Sequence, residues 1–354
     1  MRFGVVGLGW AARAFHLPAL KQVAKAEVVA GFDLDASQRE SWTRETGIPT
    51  YATLDDLLTE ARPDVVLVGT PPDSHAELCL EALEGGAHVV CEKPFASNLV
   101  EADAVLAAAA RAGRQVAVNH EFREKPIFQA VKQRIDSGEL GGVNFCQVWQ
   151  LMDLPPWDEP VPWRAAMPNR TLFEGGMHLV DLMLHFFSAT PDAVYARHSA
   201  GQHRDRDADA IHLVTLEFPG GLLAQLTIDR LCPAATRYVE VRVDCERASL
   251  RASLGGRASL QIGKKRGERA GVRMEWGTGG LAWSETGLTR QTLERNPRQA
   301  GMRATATLMS KVVDALEQEA EPPSSGREAR DALAVVEAAY RSSETGERIT
   351  LGGE

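Results

Sequence analysis

The sequence predicts an α/β protein with two domains, a doubly wound parallel sheet followed by a helix-backed antiparallel sheet. Over the first 120 or so residues, short apolar runs alternate with helical patterns, which is typical of parallel strands buried on both faces. Beyond them, runs of alternating apolar and polar residues follow one another directly, as in antiparallel sheets. A chain of 354 residues is also longer than the length that a single hydrophobic core commonly supports. We therefore predict domains at 1–121 and 122–354.

The first domain is predicted to contain five strands and five helices. A threonine before an acidic first turn starts the helix at 53, and a glycine ends the helix at 47. The predicted strands are 2–9, 27–33, 63–72, 88–94 and 115–120. The predicted helices are 16–24, 37–47, 53–61, 75–86 and 98–113.

The second domain is predicted to be mainly strands, with a first helix and two late helices. Residues 210–231 form two apolar runs around Pro-Gly-Gly, which is typical of a hairpin. Further strands are predicted at 141–152, 237–245, 248–263 and 271–276, and helices at about 126–137, 302–319 and 326–343. Apolar residues on both faces, as in "LVTLEF", predict that the outer face packs on another subunit.

Composition excludes several classes of partner. A formal charge of −9 disfavours nucleic acids and anionic membranes, and no window approaches the ~20 apolar residues of a membrane span. The basic cluster 264–269 is predicted to be a solvated loop. Five cysteines without a Cys-x-x-Cys pair, and an N-terminal segment without a signal pattern, predict free thiols in the cytoplasm.

A dinucleotide motif follows the first predicted strand. Gly7-x-Gly9-x-x-Ala12 supplies a tight turn, a close backbone approach and a small residue for packing, with Trp10 and Ala11 between them. The phosphates are expected at the following helix N-terminus. Asp33 ends the second strand, where an acid binds a ribose diol and repels a 2′-phosphate. NAD is therefore predicted in preference to NADP.

The carboxyl ends of the other strands carry polar and turn residues that are expected at the same edge of the sheet. These residues include Thr70, Pro71, Pro72, His75, Glu92 and Asn119. Lys93 stands out because an ammonium directly after an apolar strand is unfavourable unless it is paired or functional. Its ordinary alternative is a surface lysine beside Glu92.

Together, the glycine motif, "TPPDSHAELCLEALEGGAHVVCEKP" and the later acid–histidine helix resemble the glucose–fructose oxidoreductase / inositol 2-dehydrogenase / MocA family over essentially the whole chain. The resemblance implies a Rossmann domain and an open-faced α/β domain, with homodimers or homotetramers assembled through the second sheet. It also implies NAD(P)-linked oxidation or reduction of a sugar, cyclitol or related polyol. The family's catalytic lysine corresponds to Lys93.

The helical stretch "FEGGMHLVDLMLHFF" offers two acid–histidine pairs, Glu174 with His178 or Asp181 with His185. Alignment with the family's pattern favours the first pair, with Ser188 at the family's glycine and His185 structural. Asp181 is a predicted substrate ligand or an exposed helix acid. This sequence departs from the pattern by having Glu where the family often has Asp.

The predicted chemistry is proton transfer beside a hydride carrier. His178 is the acid/base, Glu174 orients it, and Lys93 polarises the reacting oxygen. Predicted substrate contacts are Lys93, His120, Arg123, Trp163, Arg164, His178 and Asp181. Predicted cofactor contacts are Gly7, Gly9, Trp10, Ala11, Ala12, Asp33, Thr70, Pro71, Pro72, His75, Glu92, Lys93 and Asn119. No metal site is predicted.

Two alternatives remain open at this point. One is a dinucleotide-binding regulator that keeps the fold without turnover. The other is a reductase, or an oxidoreductase with tightly bound cofactor.

Overall fold

The chain begins with a parallel sheet, as the alternating pattern predicts, but the sheet has six strands instead of the predicted five because the two-residue strand at 50–51 is too short to show a pattern. The computed structural model describes residues 1–159, 161–167, 169–203, 209–233, 238–255, 259–263, 271–275 and 279–352. The strands are β1 (Arg2–Val6), β2 (Glu27–Phe32), β3 (Thr50–Tyr51), β4 (Val65–Val68), β5 (His88–Cys91) and β6 (Val116–Val118). Their order is β3-β2-β1-β4-β5-β6. The order reverses between β1 and β4, which is where a doubly wound sheet binds ligands.

Helical segments connect these strands. They are a π-helical turn Ala12–His16, α1 (Leu17–Leu20), α2 (Ala36–Thr46), α3 (Leu54–Asp56), a π-helical turn Leu57–Ala61, a 3-10 turn Pro72–Ser74, α4 (His75–Glu84), α5 (Leu99–Ala112) and a 3-10 turn Glu121–Glu124. The predicted boundary signals are present. Thr53 Oγ1 accepts a hydrogen bond from the Asp56 N–H, and Gly47 ends α2 with φ of 73°.

The chain divides into two units that differ from the sequence-based boundary. The first comprises residues 1–124 and 301–337, and the second comprises 125–300 and 338–354. The late helices are α9 (Ala300–Glu317) and α10 (Gly326–Thr345). In the first unit, Leu308, Met309 and Val312 of α9 belong to the same buried core as Phe3 and Val5 of β1. The predicted division at residue 121 assigns residues 301–337 to the second domain, whereas they belong to the first compact unit. The functional boundary between the domains stays a prediction.

The second unit contains a nine-stranded sheet that is mostly antiparallel. Its strands are β7 (Val143–Leu151), β8 (Ala193–Ser199), β9 (Ile211–Phe218), β10 (Leu222–Asp229), β11 (Val239–Cys245), β12 (Ser249–Leu254), β15 (Gly280–Thr286), β16 (Thr289–Arg295) and β17 (Ile349–Thr350). The order is β16-β15-β12-β11-β7-β10-β9-β8-β17, with β7 and β10 parallel. The predicted hairpin is confirmed, since Phe218 pairs with Leu222 across Pro-Gly-Gly. Strands β13 (Ser259–Gly263) and β14 (Gly271–Glu275) form a separate ribbon.

The second unit also contains helices and helical turns, of which those at 126–136 and 171–176 contact strands of this sheet. The helices and helical turns are α6 (Pro126–Asp136), a 3-10 turn Pro156–Asp158, α7 (Pro162–Ala165), a π-helical turn Thr171–Gly176, α8 (Met177–Phe187) and a 3-10 turn Pro219–Gly221. Along β7, Cys146 and Val148 are fully buried, whereas Phe145 and Gln147 are only partly buried. This period of two gives the sheet a core face and an open face.

Two further predictions from the sequence concern the basic cluster and membrane-spanning helices. The basic cluster 264–269 lies outside the described residues. No helix in the described part of the chain combines the length and the apolar character that a membrane span requires.

Ser188 ends α8 in a left-handed conformation, with φ of 49°. This is the position that corresponds to the family's glycine, and glycine adopts that conformation without a Cβ clash. We expect Ser188→Gly to raise the free energy of unfolding by about 1 kcal/mol, measured by urea denaturation. The control is Ser188→Ala, which keeps a Cβ and removes the hydroxyl that lies 3.1 Å from Lys132 Nζ. A Ser188→Gly variant that is no more stable than the wild type would contradict backbone strain at Ser188.

Candidate active site

The glycine motif forms a tight turn between β1 and the first helical segment. Gly7 has φ of 87°, and a Cβ there would lie 2.9 Å from the backbone of Gly69. A Cβ on Gly9 would meet nothing within 4 Å, so this glycine leaves room on the outer side of the turn. Ala12 is buried in the sheet core. The three positions therefore have the properties that a pyrophosphate-binding turn requires. Trp10 is 73% exposed and has an edge-on contact with Phe15.

Asp33 connects the end of β2 to this turn. Its Oδ2 accepts a hydrogen bond of 2.8 Å from the Leu8 N–H, and its Oδ1 accepts one of 2.9 Å from the Asp35 N–H. Arg39 lies beside it, donating from Nη1 to the Asp33 carbonyl over 2.7 Å. The side chain is thus a fixed acceptor at the edge of the glycine turn, as a ribose-binding acid requires.

Glu92 is the centre of a polar cluster at the ends of β5 and β6. Asn119 Nδ2 donates to Glu92 Oε1 over 2.7 Å, and the Lys93 N–H donates to Oε2 over 3.2 Å. His16, in the helical segment after the glycine turn, places Nε2 at 3.3 Å from Glu92 Oε1. His16 and Asn119 are 1% and 4% exposed. Residues from three segments of the first unit, those that follow β1, β5 and β6, therefore meet at one carboxylate.

His75 connects the two loops that follow β4 and β5. Its Nε2 lies 2.8 Å from the Thr70 carbonyl oxygen and its Nδ1 lies 2.7 Å from the Pro94 carbonyl oxygen. The ring is fully buried, and burial lowers its pKa while the two carbonyls partly offset that effect. Pro71 is exposed and Pro72 buried, and the peptide bond between Lys93 and Pro94 is cis. The position of His75 suits a link between the loops better than a direct ligand contact.

Two predicted substrate residues after β6 are buried. His120 has no exposed surface, and Arg123 is 5% exposed. Arg123 Nη1 forms an ion pair of 2.8 Å with Glu328 Oε1 at the start of α10. This pairing gives Arg123 a structural partner in the first unit, and the substrate contacts of both residues stay predictions.

In the second unit, the acid–histidine stretch is not one continuous α-helix. Glu174 lies in the π-helical turn Thr171–Gly176, and His178 lies in the first turn of α8. A Cβ on Gly176 would come within 2.7 Å of Ile228 Cδ1, so glycine permits the close packing of this turn. The simple three-and-four spacing therefore does not describe Glu174, because a π-helix has a wider turn.

Asp181 and His185 differ in burial. Asp181 is fully buried, so the exposed helix acid considered from the sequence is wrong. His185 is partly buried in the last turn of α8. The direct contact of Asp181 with substrate stays a prediction.

Three predicted residues of the second unit lie together. Arg164 Nη2 forms an ion pair of 3.2 Å with Glu174 Oε1, and its guanidinium carbon lies 4.9 Å from the Trp163 ring centroid. The sequence predicts a loop at residues 160–168, of which 160 and 168 lie outside the described residues, but Pro162 begins the short helix α7. Proline is favoured at a first helical position because its missing N–H needs no partner there. Glu174 is thus paired with an arginine as well as being near His178 in sequence.

Sequence reasoning missed three buried polar residues that the structure places beside the predicted ones. These are His16 next to Glu92, and Asp209 and Tyr340 at the start of the π-helical turn. A buried histidine in "FHLPAL" has a weak signal, and nothing in the sequence relates residues 209 and 340 to position 171. In the described part of the chain, no group of three His, Cys, Asp or Glu side chains suits a metal ion.

We expect acid to destabilise the protein through His16. Burial lowers the pKa of this imidazole, and the charges of Glu92 and Glu121 only partly offset that effect. The unfolded chain therefore binds a proton below pH 6.5 that the folded chain does not bind. Stability should fall as the pH falls through that value, by up to about 1.4 kcal/mol per pH unit for this group.

Thermal denaturation between pH 8 and pH 5.5 measures this effect. His16→Gln should show a shallower loss than the wild type, and the exposed His203→Gln should match the wild type. Parallel slopes for wild type and His16→Gln would contradict the assignment.

Comparison with known proteins agrees with this geometry. Residues 1–120 match the model of the oxidoreductase family with NAD-binding Rossmann fold, and residues 128–251 match the GFO/IDH/MocA C-terminal domain. The chain is 27% identical to D-apiose dehydrogenase of Paraburkholderia graminis, covering 98% of this chain and 88% of that protein. It is 25% identical to scyllo-inositol 2-dehydrogenase (NADP(+)) of Bacillus subtilis, covering 99% and 96%.

A solved structure supports the fold. The oxidoreductase from Agrobacterium radiobacter in complex with NAD+, L-tartaric acid and magnesium superimposes with a TM-score of 0.83. It is 19% identical, with coverage of 99% of this chain and 98% of that one. The expected Rossmann sheet is confirmed, with six strands instead of the five predicted, and so is the mostly antiparallel second sheet. The chain belongs to the Gfo/Idh/MocA family of NAD(P)-binding oxidoreductases.

Proposed function

We propose that this protein transfers a hydride between a nicotinamide dinucleotide and a CH–OH group of a sugar, cyclitol or related polyol. The observation that carries the proposal is the polar cluster around Glu92. It places Lys93 after β5 in a loop that is bonded to Asn119 and adjoins the helical segment after the glycine turn. The family's named members act on such substrates, which supports the class but not a particular compound.

The residues of the first unit suit a dinucleotide. The turn at Gly7 and Gly9 would hold the pyrophosphate at the start of the helical segment, and Asp33 would bind the adenosine ribose. His75 would keep the loops after β4 and β5 together. When bound, the nicotinamide accepts or donates the hydride.

Lys93 is the proposed electrophilic group. An ammonium beside the substrate oxygen stabilises the negative charge that develops when a hydroxyl proton leaves. The contact between the Lys93 backbone and Glu92 fixes the main chain of this loop, while Glu92 is itself held by Asn119. The side chain of Lys93 is partly exposed and therefore accessible.

His178 is the proposed acid/base. In the oxidation direction its imidazole takes the hydroxyl proton, and in the reduction direction it returns that proton to the same oxygen. Glu174 is proposed to orient it, and the ion pair with Arg164 restricts the position of that carboxylate. Trp163 and Arg164 remain proposed substrate contacts.

NAD is the proposed cofactor in preference to NADP. Both carboxylate oxygens of Asp33 are engaged by backbone N–H groups, which keeps a negative charge where a 2′-phosphate would bind. Arg39 supports the opposite preference, because its guanidinium lies beside Asp33 and a relative is named as an NADP enzyme. Parallel assays with both cofactors decide between them.

The second candidate is a dinucleotide-binding regulator. It keeps the first-unit features but does not need a proton-transfer pair. The presence of Lys93, Glu174 and His178 favours the enzyme, since a regulator does not need the proton transfer that is proposed for this set. The free state of the five cysteines suits the cytoplasmic location proposed for either function.

We expect Lys93→Met and His178→Ala each to reduce turnover by about 100-fold or more, because each removes a group that acts on the reacting oxygen. The measurement is nicotinamide absorbance with myo-inositol, aldoses, sugar acids and their keto forms, with NAD and NADP in parallel. NADH binding, followed by fluorescence, should persist in His178→Ala. Lys21→Met and His203→Ala are the exposed controls.

The outcomes separate the candidates. Unaltered turnover in both site variants would refute the proposed roles. NADH binding by the wild type with no redox activity over the whole panel would instead favour the regulator.

We also propose that the open face of the second sheet joins two copies of the chain. Leu213 and Leu223 are 48% and 46% exposed there, and Phe145 pairs with Leu223 across β7 and β10. Large apolar side chains exposed on one face of a sheet are unfavourable in water, and a second copy of the chain would cover them.

We expect Leu213→Glu to shift the protein from oligomer to monomer in sedimentation velocity, because it places a charge in the apolar contact. Leu288→Glu, in the exposed turn between β15 and β16, is the matched control. A wild-type protein that sediments as a monomer would exclude this interface.

A further inference from the structure

Two distant side chains converge at the beginning of the helical segment that carries the acid–histidine pair. Asp209 Oδ2 accepts a hydrogen bond of 2.9 Å from the Thr171 N–H. The Tyr340 hydroxyl oxygen accepts from the N–H groups of Leu172 and Phe173, over 3.2 Å and 3.4 Å. These are the first N–H groups of the π-helical turn, where backbone donors commonly have no partner within their own helix. Among the described residues, only the Phe173 N–H of these three also reaches a local carbonyl, that of Asn169 over 3.4 Å.

The local sequence provides no cap of its own. Arg170, at the N-cap position, forms no side-chain cap hydrogen bond, and Asn169 before it has φ of 53°. The turn also contains Gly175 and Gly176. Glycine has a low helix propensity because its backbone loses more conformational entropy on folding than that of other residues. The position of this turn therefore depends on the bonds that Asp209 and Tyr340 provide.

The two capping side chains are also joined to each other. The Tyr340 hydroxyl lies 2.6 Å from Asp209 Oδ2 and also contacts the Asn169 carbonyl, so both are acceptors for its one proton. His212 Nε2 lies 3.1 Å from the same Oδ2. Asp209 and Tyr340 are each 7% exposed. A buried network of this kind has a single favourable arrangement when its members are satisfied.

The charge of the network suits a helix start. Burial by itself would raise the pKa of Asp209, but the hydrogen bonds from His212, Tyr340 and Thr171 lower it overall. The carboxylate is therefore ionised near neutral pH. A negative charge at a helix N-terminus is favourable because the helix dipole is positive there.

We propose that Tyr340 and Asp209 are positioning residues for the acid–histidine pair, which they locate by fixing the start of the segment that carries Glu174 and His178. This inference rests on the proposed function of that pair. Glu174 follows the capped residues directly, and His178 comes four residues after it. Displacements of about 1 Å are sufficient to reduce turnover about 100-fold in enzymes that depend on orientation.

The test compares Tyr340→Phe with Ser342→Ala, which also removes a buried hydroxyl from α10. Ser342 has no exposed surface, and its Oγ accepts from the Ala196 N–H over 2.9 Å and contacts the Glu347 carbonyl. Ser342→Ala thus removes buried hydrogen bonds from α10 without removing any from the π-helical turn. Asp209→Asn is the second variant and retains the side-chain shape.

Three measurements are made on the full-length chain. Amide hydrogen exchange of a peptide spanning residues 169–178 should accelerate in Tyr340→Phe and Asp209→Asn but not in Ser342→Ala. The ring resonance of His178, assigned by its loss in His178→Gln, should shift only in the first two. With myo-inositol and NAD, kcat should fall about 10- to 100-fold in these variants while the KM for NAD is unchanged.

Each outcome supports or overturns the inference. Wild-type exchange and an unshifted His178 resonance in Tyr340→Phe would overturn it, as would equal loss of kcat in Tyr340→Phe and Ser342→Ala. If the wild type turns over no polyol of the panel, the proposed function fails. Exchange and the His178 resonance then still decide whether the cap positions that residue.

Discussion

The carboxylate of Glu92 holds together the part of the first unit on which the proposed chemistry depends. It accepts from Asn119 and from the Lys93 backbone and lies beside His16, so it contacts segments that follow β1, β5 and β6. A partly buried carboxylate needs such partners, because its desolvation is unfavourable without them. The backbone of Lys93 is thus held by the same carboxylate that joins these segments.

In the second unit, polar groups at the start of a helical segment also need hydrogen-bond partners. The π-helical turn Thr171–Gly176 needs partners for its first N–H groups, and residues 209 and 340 provide them. Both units therefore place a candidate catalytic residue near an acid with several hydrogen bonds, which is partly buried in the first unit and buried in the second.

Much of the first sheet is predictable because its signals are local. Apolar runs such as "VVLV" (65–68) are buried along their whole length, and Thr53 and Gly47 act as the caps that their residue types favour. The grouping of α9 with the first core is not local. Its apolar face packs with β1 residues about 300 positions earlier, and helical periodicity does not show which partner such a face will find.

The sequence by itself determined the fold class and the glycine turn with Asp33, because residue types and short spacings carry those signals. The roles of Lys93 and His178 rest on the resemblance to the family and stay proposals. Only the tertiary structure decided that Asp181 is buried, that Arg164 pairs with Glu174, and that the acid–histidine segment begins with a π-helical turn. These features depend on side chains that are distant in sequence and compete for the same space and hydrogen bonds, so no local pattern records them.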